Sequence, residues 1–102
     1  MQIYNVVIGT TAIDDMKHLR DFLVQMKSEE GAIGYLKAMQ EEINSLKVFA
    51  DYYRPSSSSV IKQFHKNARR MISHNKKWNY IFHIDGKFVI VDRIIPSSMI
   101  YN

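Results

Sequence analysis

Residues 78–101 read WNYIFHIDGKFVIVDRIIPSSMIY, and a β-hairpin is the arrangement that suits them. Asp85-Gly86 parts two runs rich in β-branched and aromatic side chains. An Asp-Gly pair in that setting predicts a two-residue type I′ turn, in which Gly supplies the positive φ. Two strands alone are marginal in water. Ile81, Phe82 and Ile84 on one strand, and Phe88, Val89, Ile90, Val91, Ile94 and Ile95 on the other, give apolar side chains to both faces. At least one of these strands is therefore expected at the centre of a larger sheet.

Working upstream, Ala68 to Ser73 (ARRMIS) reads as a strand that leads through His74-Asn75-Lys76-Lys77 into the hairpin. Consecutive strand residues face opposite ways, so Arg69 and Arg70 are expected on opposite faces, and at most one of them serves a given site. Val60 to Asn67 fits either a short basic helix or an extended edge; its period does not choose. Arg54-Pro55-Ser56-Ser57-Ser58-Ser59 is a loop, because proline disfavours helical geometry in the residue before it and serine competes for backbone hydrogen bonds.

Two helices precede that loop. Ala32, Leu36, Met39, Ile43, Leu46, Ala50 and Tyr53 alternate in steps of four and three, predicting one continuous amphipathic helix opened by Ser28 with Glu29 and Glu30. Ile13, Met16, Leu19, Leu23 and Met26, with Phe22 beside them, predict an earlier helix that ends near Lys27. Thr11 with Asp14 reads as its capping box, and Asp14 and Asp15 suit the positive end of its dipole. The methionines of both stripes are expected as core filling. The link between the helices is short enough to make them an antiparallel pair. Gln2 to Ile8 (QIYNVVI) has the composition of a first strand. The predicted fold is therefore a single two-layer α+β domain over residues 1–102: an N-terminal strand, an antiparallel helical hairpin, then a C-terminal antiparallel sheet of three or four strands.

The net charge of +4 conceals a division. Residues 1–51 hold five Lys/Arg against eight Asp/Glu, whereas residues 52–102 hold nine against two, and no acidic residue occurs from Tyr52 to Ile84. Such asymmetry points to an anionic partner, nucleic acid or an acidic protein segment, and in its blander reading to a solvated basic face. There is no cysteine, which excludes disulfides and thiolate metal sites and makes a reducing cytoplasm the expected compartment. No uninterrupted apolar run approaches the roughly 18 residues of a membrane span, and the amino terminus lacks a basic signal region, so no membrane role is expected. His65, His74 and His83 recur every nine residues, which is not a metal-ligand spacing, so neither metal nor cofactor is predicted. Phosphate-loop and serine-hydrolase motifs are missing as well.

Arg69-Arg70-Met71, then Asn79-Tyr80-Ile81-Phe82-His83-Ile84-Asp85-Gly86, then Val89-Ile90-Val91-Asp92-Arg93-Ile94-Ile95 resembles the pattern "R-R … Y-x-I-x-Y-x-I-D-G … V-x-I-x-R-I" of the RelE/ParE superfamily of toxins from bacterial toxin-antitoxin and plasmid-stabilisation modules. The resemblance spans nearly the whole chain. It implies that the first strand pairs with the last. It also implies a cognate antitoxin, an acidic or amphipathic segment wrapped over the toxin, in a hetero-oligomer or beside a homodimer, and a target that is either DNA gyrase or mRNA on the ribosome. In the ribosome-dependent ribonuclease branch, basic groups at the strand ends stabilise charge on the scissile phosphate. The catalytic candidates on that reading are Arg69, Arg70, His83 and Tyr101, and the target-binding candidates are Arg69, Arg70, Lys76, Lys77 and Arg93. The chain departs from the pattern twice, with His83 where relatives carry tyrosine and Pro96-Ser97-Ser98-Met99 where they often place His or Arg; the second departure, the missing terminal basic group, favours the gyrase-poisoning branch. Set against these roles, His83 reads equally as a half-buried, hydrogen-bonded strand residue, Arg93 with Asp92 as decoration of an edge strand, and Tyr101 as core closure. A nucleic-acid-binding or regulatory module on the same fold is the alternative of another class.

Overall fold

In the computed structural model, which describes residues 2–100, the chain runs β1 (Asn5–Ile8), α1 (Thr10–Met26), α2 (Glu29–Asn44), α3 (Leu46–Phe49), a 3₁₀ turn (Ala50–Tyr52), α4 (Ser59–Lys62), β2 (Arg69–Ile72), β3 (Trp78–Asp85) and β4 (Phe88–Pro96). The strands form one sheet in the order β1-β4-β3-β2. Both hairpin strands are central, as their two apolar faces require. The first strand does pair with the last, and it does so in parallel, Val6 opposite Val89 and Ile8 opposite Val91. The other pairings are antiparallel, so the sheet is mixed.

The helical hairpin covers one face. Ala12, Leu19 and Leu23 of α1 and Ala32, Met39 and Ile43 of α2 pack with Leu46 against Tyr80, Phe82, Val89, Val91 and Ile94. The other face is partly covered by a strap, residues 54–67, whose Ile61 and Phe64 lie on Ala68, Ile81 and Ile95. This second cover resolves the ambiguity of residues 60–67 in favour of a short helix followed by turns. Among the described residues no helix is long and apolar enough to cross a membrane.

Several expectations are corrected. The hairpin register pairs Asp85 with Phe88, so the turn residues are Gly86 and Lys87. Gly86 has φ +57° and Lys87 has no positive φ, which excludes type I′ and matches the Gly-first pattern of type II′. No capping box forms at Thr11 and Asp14, because the helix start lies two residues earlier: Gly9 is the N-cap and α1 begins at Thr10. Ile13, Phe22 and Met26 are not core: they are 40%, 56% and 67% exposed. The apolar arc of α1 is wider than the strip the sheet covers, and the buried line runs through Ala12, Leu19 and Leu23, with Met16 packed beside it. The second helix is interrupted at Ser45, whose hydroxyl donates to the Glu42 carbonyl at 2.5 Å, although Leu46 and Ala50 stay buried in the predicted seam. Arg93 and Asp92 lie on β4, which is central as far as Val91 and has β3 alone beside it further on, and both side chains are held in ion pairs.

The junction of β1, α1 and β4 fixes how the layers sit. β1 ends at Ile8, and the Gly9 N–H donates to the Val91 carbonyl at 2.9 Å. A Cβ on Gly9 would stand 3.0 Å from that oxygen, so glycine permits the approach. Beyond Val91 the edge of β4 has no strand beside it. Asp15 takes the strand's place: its Oδ2 accepts the Ile94 N–H at 2.9 Å and the Arg93 Nε–H at 2.8 Å, and its Oδ1 accepts from Arg93 Nη2 at 3.1 Å. This fork is charge-assisted and holds the Arg93 guanidinium above its ordinary pKa, chiefly through the hydrogen bonds to Asp15. The main-chain twist is raised here too, since β4 carries an extra residue, Asp92, between Val91 and Arg93.

Asp15→Ala leaves the Ile94 amide and the Arg93 head without their partner and should lower stability by about 2–4 kcal/mol. Asp15→Asn, which still accepts from Ile94, should lose clearly less. Urea midpoints at unchanged slope measure both; equal losses in the two variants would contradict the assignment.

Candidate functional site

Between β2 and β3 the chain turns through Ser73 to Lys77, and this turn is held from three sides. Internally, Ser73 Oγ–H donates to Asn75 Oδ1 at 2.7 Å and accepts the Trp78 N–H at 3.0 Å, and Asn75 Oδ1 accepts the Lys77 N–H at 3.0 Å. Lys76 adopts φ +64°, a left-handed conformation that costs a lysine free energy. From α2, Glu42 accepts the His74 N–H at 2.5 Å and the Tyr80 O–H at 3.0 Å, while the Tyr35 hydroxyl accepts from Asn75 Nδ2 at 2.9 Å and from Trp78 Nε1 at 2.8 Å. From the end of β4, Ser97 donates its N–H to the Lys77 carbonyl and its hydroxyl to the Lys76 carbonyl, both at 2.8 Å. Its Oγ accepts Asn79 Nδ2 at 2.9 Å.

These supports build an open groove of about 500 Å³ on the strap side of the sheet, lined chiefly by Arg70, Ile72, His74, Lys76, Asn79 and Ser97. Among the described residues no carboxylate lines it. The nearby Glu42 is committed to His74 and Tyr80, so the groove presents cationic and neutral donors beside the apolar Ile72 and Ile100. Oriented positive charge with little competing acid attracts an anion, such as a phosphodiester or a carboxylate segment. The groove is thus where the charge division read from sequence becomes a surface.

The candidates from sequence do not converge on one point. Arg69 and Arg70 do face opposite ways. Arg69 lies on the helix side, where Nη1 donates to the Tyr53 carbonyl at 2.7 Å and buried Nε has no partner among the described residues. Arg70 lines the groove with Lys76. Lys77 is exposed on the same turn. Arg93 is held by Asp15 and stands 5.4 Å over the Phe64 ring. His83 Nδ1 lies 2.7 Å from Asp92 Oδ2, and its ring is stacked at 3.7 Å and 2° on His65. On the strap-side face, Ile81 of the apolar cluster with Ile61 and Ile95 stands between His83 and the Asn79 of the groove. Tyr101 lies outside the described residues. Among the described residues no group of His, Cys, Asp or Glu is arranged to hold a metal ion.

Sequence reasoning missed His74, Asn79 and Ser97 as groove residues, and Asp15, Asp92 and His65 as the partners of Arg93 and His83. The acid-free run from Tyr52 to Ile84 carried a signal for His74. The others are joined over separations of 9 to 79 residues, where no local pattern operates.

Neither protein-family models nor curated proteins yield a match to the chain. Among solved structures it is similar to a chain of the chromosomal ParDE TA system from P. aeruginosa, at 19% identity and a TM-score of 0.77, over 92% of this chain and 96% of that one. The architecture expected from sequence, a first strand, a helical hairpin and a C-terminal sheet, is observed, and it is the fold shared with that chain.

The Tyr80 hydroxyl under the turn is pushed above its ordinary pKa by burial first and then by the Glu42 carboxylate. A raised folded value makes its contribution to stability full below about pH 10 and lost as pH climbs further, because the unfolded chain releases the proton first. Tyr80→Phe should cost about 1 kcal/mol at pH 7 and flatten the decline in stability above pH 10. Denaturant unfolding from pH 8 to 11 reads both effects; an unchanged alkaline slope would count against the buried hydroxyl as its source.

Proposed function

We propose that this chain is the toxin of a bacterial toxin-antitoxin module, acting in the ParE-like way on DNA gyrase. The observation that carries the toxin reading is the end-to-end likeness to a chain of the ParDE system, 92% of one and 96% of the other. The division of the cations supports the gyrase branch within it. Cleavage of RNA needs several groups converging on one phosphate. Here Arg69 is spent on the Tyr53 carbonyl, Arg93 on Asp15, and His83 is separated from Arg70 by the Ile61–Ile81–Ile95 cluster. What remains is a docking surface of Arg70, Lys76 and Lys77, suited to binding.

The antitoxin segment in this reading is amphipathic and acidic. Its apolar anchors take the exposed Phe22 and Met99 beside a groove of about 410 Å³ between α1 and the end of β4, and its carboxylates take the basic groove. A second reading, the ribosome-dependent ribonuclease, draws on the His83–Asp92 pair, in which a carboxylate orients an imidazole as general bases are oriented.

Purified chain mixed with gyrase and supercoiled plasmid, quenched with detergent, should yield linear DNA. Arg70→Glu with Lys76→Glu should reduce the potency by about tenfold or more, as reversal of two charges at an anion-binding surface implies. The unfolding midpoint should hardly move, since among the described residues neither side chain makes a hydrogen bond or an ion pair. Intact plasmid together with cleavage of mRNA on translating ribosomes would replace this reading with the ribonuclease.

A further inference from the structure

The strap of residues 54–67 is fastened to the sheet by few contacts. The Ser56 N–H donates to the Ala68 carbonyl at 2.8 Å, Ile61 is buried, Phe64 packs beside it, and His65 stacks on His83. Its one helix, α4, has four residues, and among the described residues the buried Ser58 hydroxyl has no hydrogen-bond partner. Segments with so few buried contacts open at lower free energy than the core.

We infer that the His65–His83 stack makes this strap an acid-released latch. His65 Nδ1 accepts the Asn67 N–H at 3.0 Å, a bond that an imidazole nitrogen makes only while it carries no proton. A proton taken there turns the acceptor into a donor facing another donor and breaks the turn at Asn67. It also places a positive ring face to face, at 3.7 Å, with a ring that shares the chemistry. Imidazole is the side chain whose ordinary titration falls between pH 5 and 8.

The groups around the stack do not absorb two charges. From β4, Asp92 meets His83 alone, at 2.7 Å. Arg93, next along, adds positive charge and is bound by Asp15 of α1. The strap itself contributes Lys62 and Lys66, both exposed, and β3 contributes Asp85, two residues along the same face and exposed at the hairpin end. β1 presents Asn5 and Val7 on this face, neither charged. One carboxylate thus serves two rings, and the second proton favours release of the strap. Release lifts Ile61 and Phe64 from Ile81 and Ile95 and uncovers an apolar face beside the basic groove. The inference does not depend on the toxin reading.

Amide hydrogen exchange on the full chain, corrected for the intrinsic effect of pH, tests it at pH 7.5 and 5.5. Protection across residues 54–68 should fall by about fivefold or more at the lower pH, the size expected of two unit charges about 4 Å apart even at the dielectric of water. Protection in α1 and α2 should hold. His65→Phe keeps a ring on His83 without a proton site, and should leave the strap protected equally at both pH values. Equal strap protection in the wild type at the two pH values would overturn the latch. So would a fall shared equally by the helices, or a His65→Phe strap that opens as the wild type does. The wild-type comparison decides alone if the variant does not fold.

Discussion

β4 has nine residues and its parallel neighbour β1 has four, so half of the β4 edge must find its hydrogen bonds elsewhere. Much of the structure follows from how Asp15 meets that need. Because Gly9 lets the chain pass from strand to helix with no intervening loop, α1 starts against β4. One and a half turns on, its carboxylate reaches the Ile94 amide and the Arg93 head. The helix is thereby fixed in rotation and height, Ala12, Leu19 and Leu23 are set over the sheet, and α2 is laid alongside. An orphaned main-chain amide in this position would cost the fold about 1–3 kcal/mol, enough to matter in a domain of this size.

The same economy sorts the basic residues. Fourteen Lys/Arg in 102 residues suggest a surface rich in free cations; the fold draws Arg69 and Arg93 into supporting roles, while Arg70, Lys76 and Lys77 gather at the β2–β3 turn. That turn is held firmly. Glu42 and Tyr35 fasten it to α2 and Ser97 to the end of β4, while Lys76 is kept in a left-handed conformation that other residues adopt more cheaply. A basic turn so supported is a pre-formed surface, and binding to it loses little to ordering.

The elements that depend on local pattern were legible in the sequence. The hairpin at residues 78–101, the Ser28 cap, whose hydroxyl accepts the Gly31 N–H at 2.9 Å, and the opposed faces of Arg69 and Arg70 all follow from spacing and side-chain chemistry. The joining of first and last strands came from family resemblance, and no residue of β1 announces it. Errors arose where a local rule met a tertiary contact. Asp14 and Asp15 look like helix-start acids, and Asp15 in fact serves a strand 79 residues away. The arc of Ile13, Phe22 and Met26 has helical period, yet the sheet covers only part of it. Asp85-Gly86 marks the hairpin correctly, while the register that selects Gly86-Lys87 is set by pairing along the whole of β3 and β4. For the site, the acid-free run showed which part of the chain would be basic; which basic groups stay free is decided by partners that lie far off in sequence.

In the proposed function this scaffold presents a toxin surface that halts DNA metabolism. The most direct test is to express the chain from a tightly repressed promoter in bacteria and, within minutes of induction, to follow labelled thymidine and labelled amino acid separately. Early loss of thymidine incorporation, with a DNA-damage response and protein synthesis still running, is the result expected. Early loss of amino-acid incorporation with DNA synthesis intact, or normal growth while the folded chain accumulates, would contradict it.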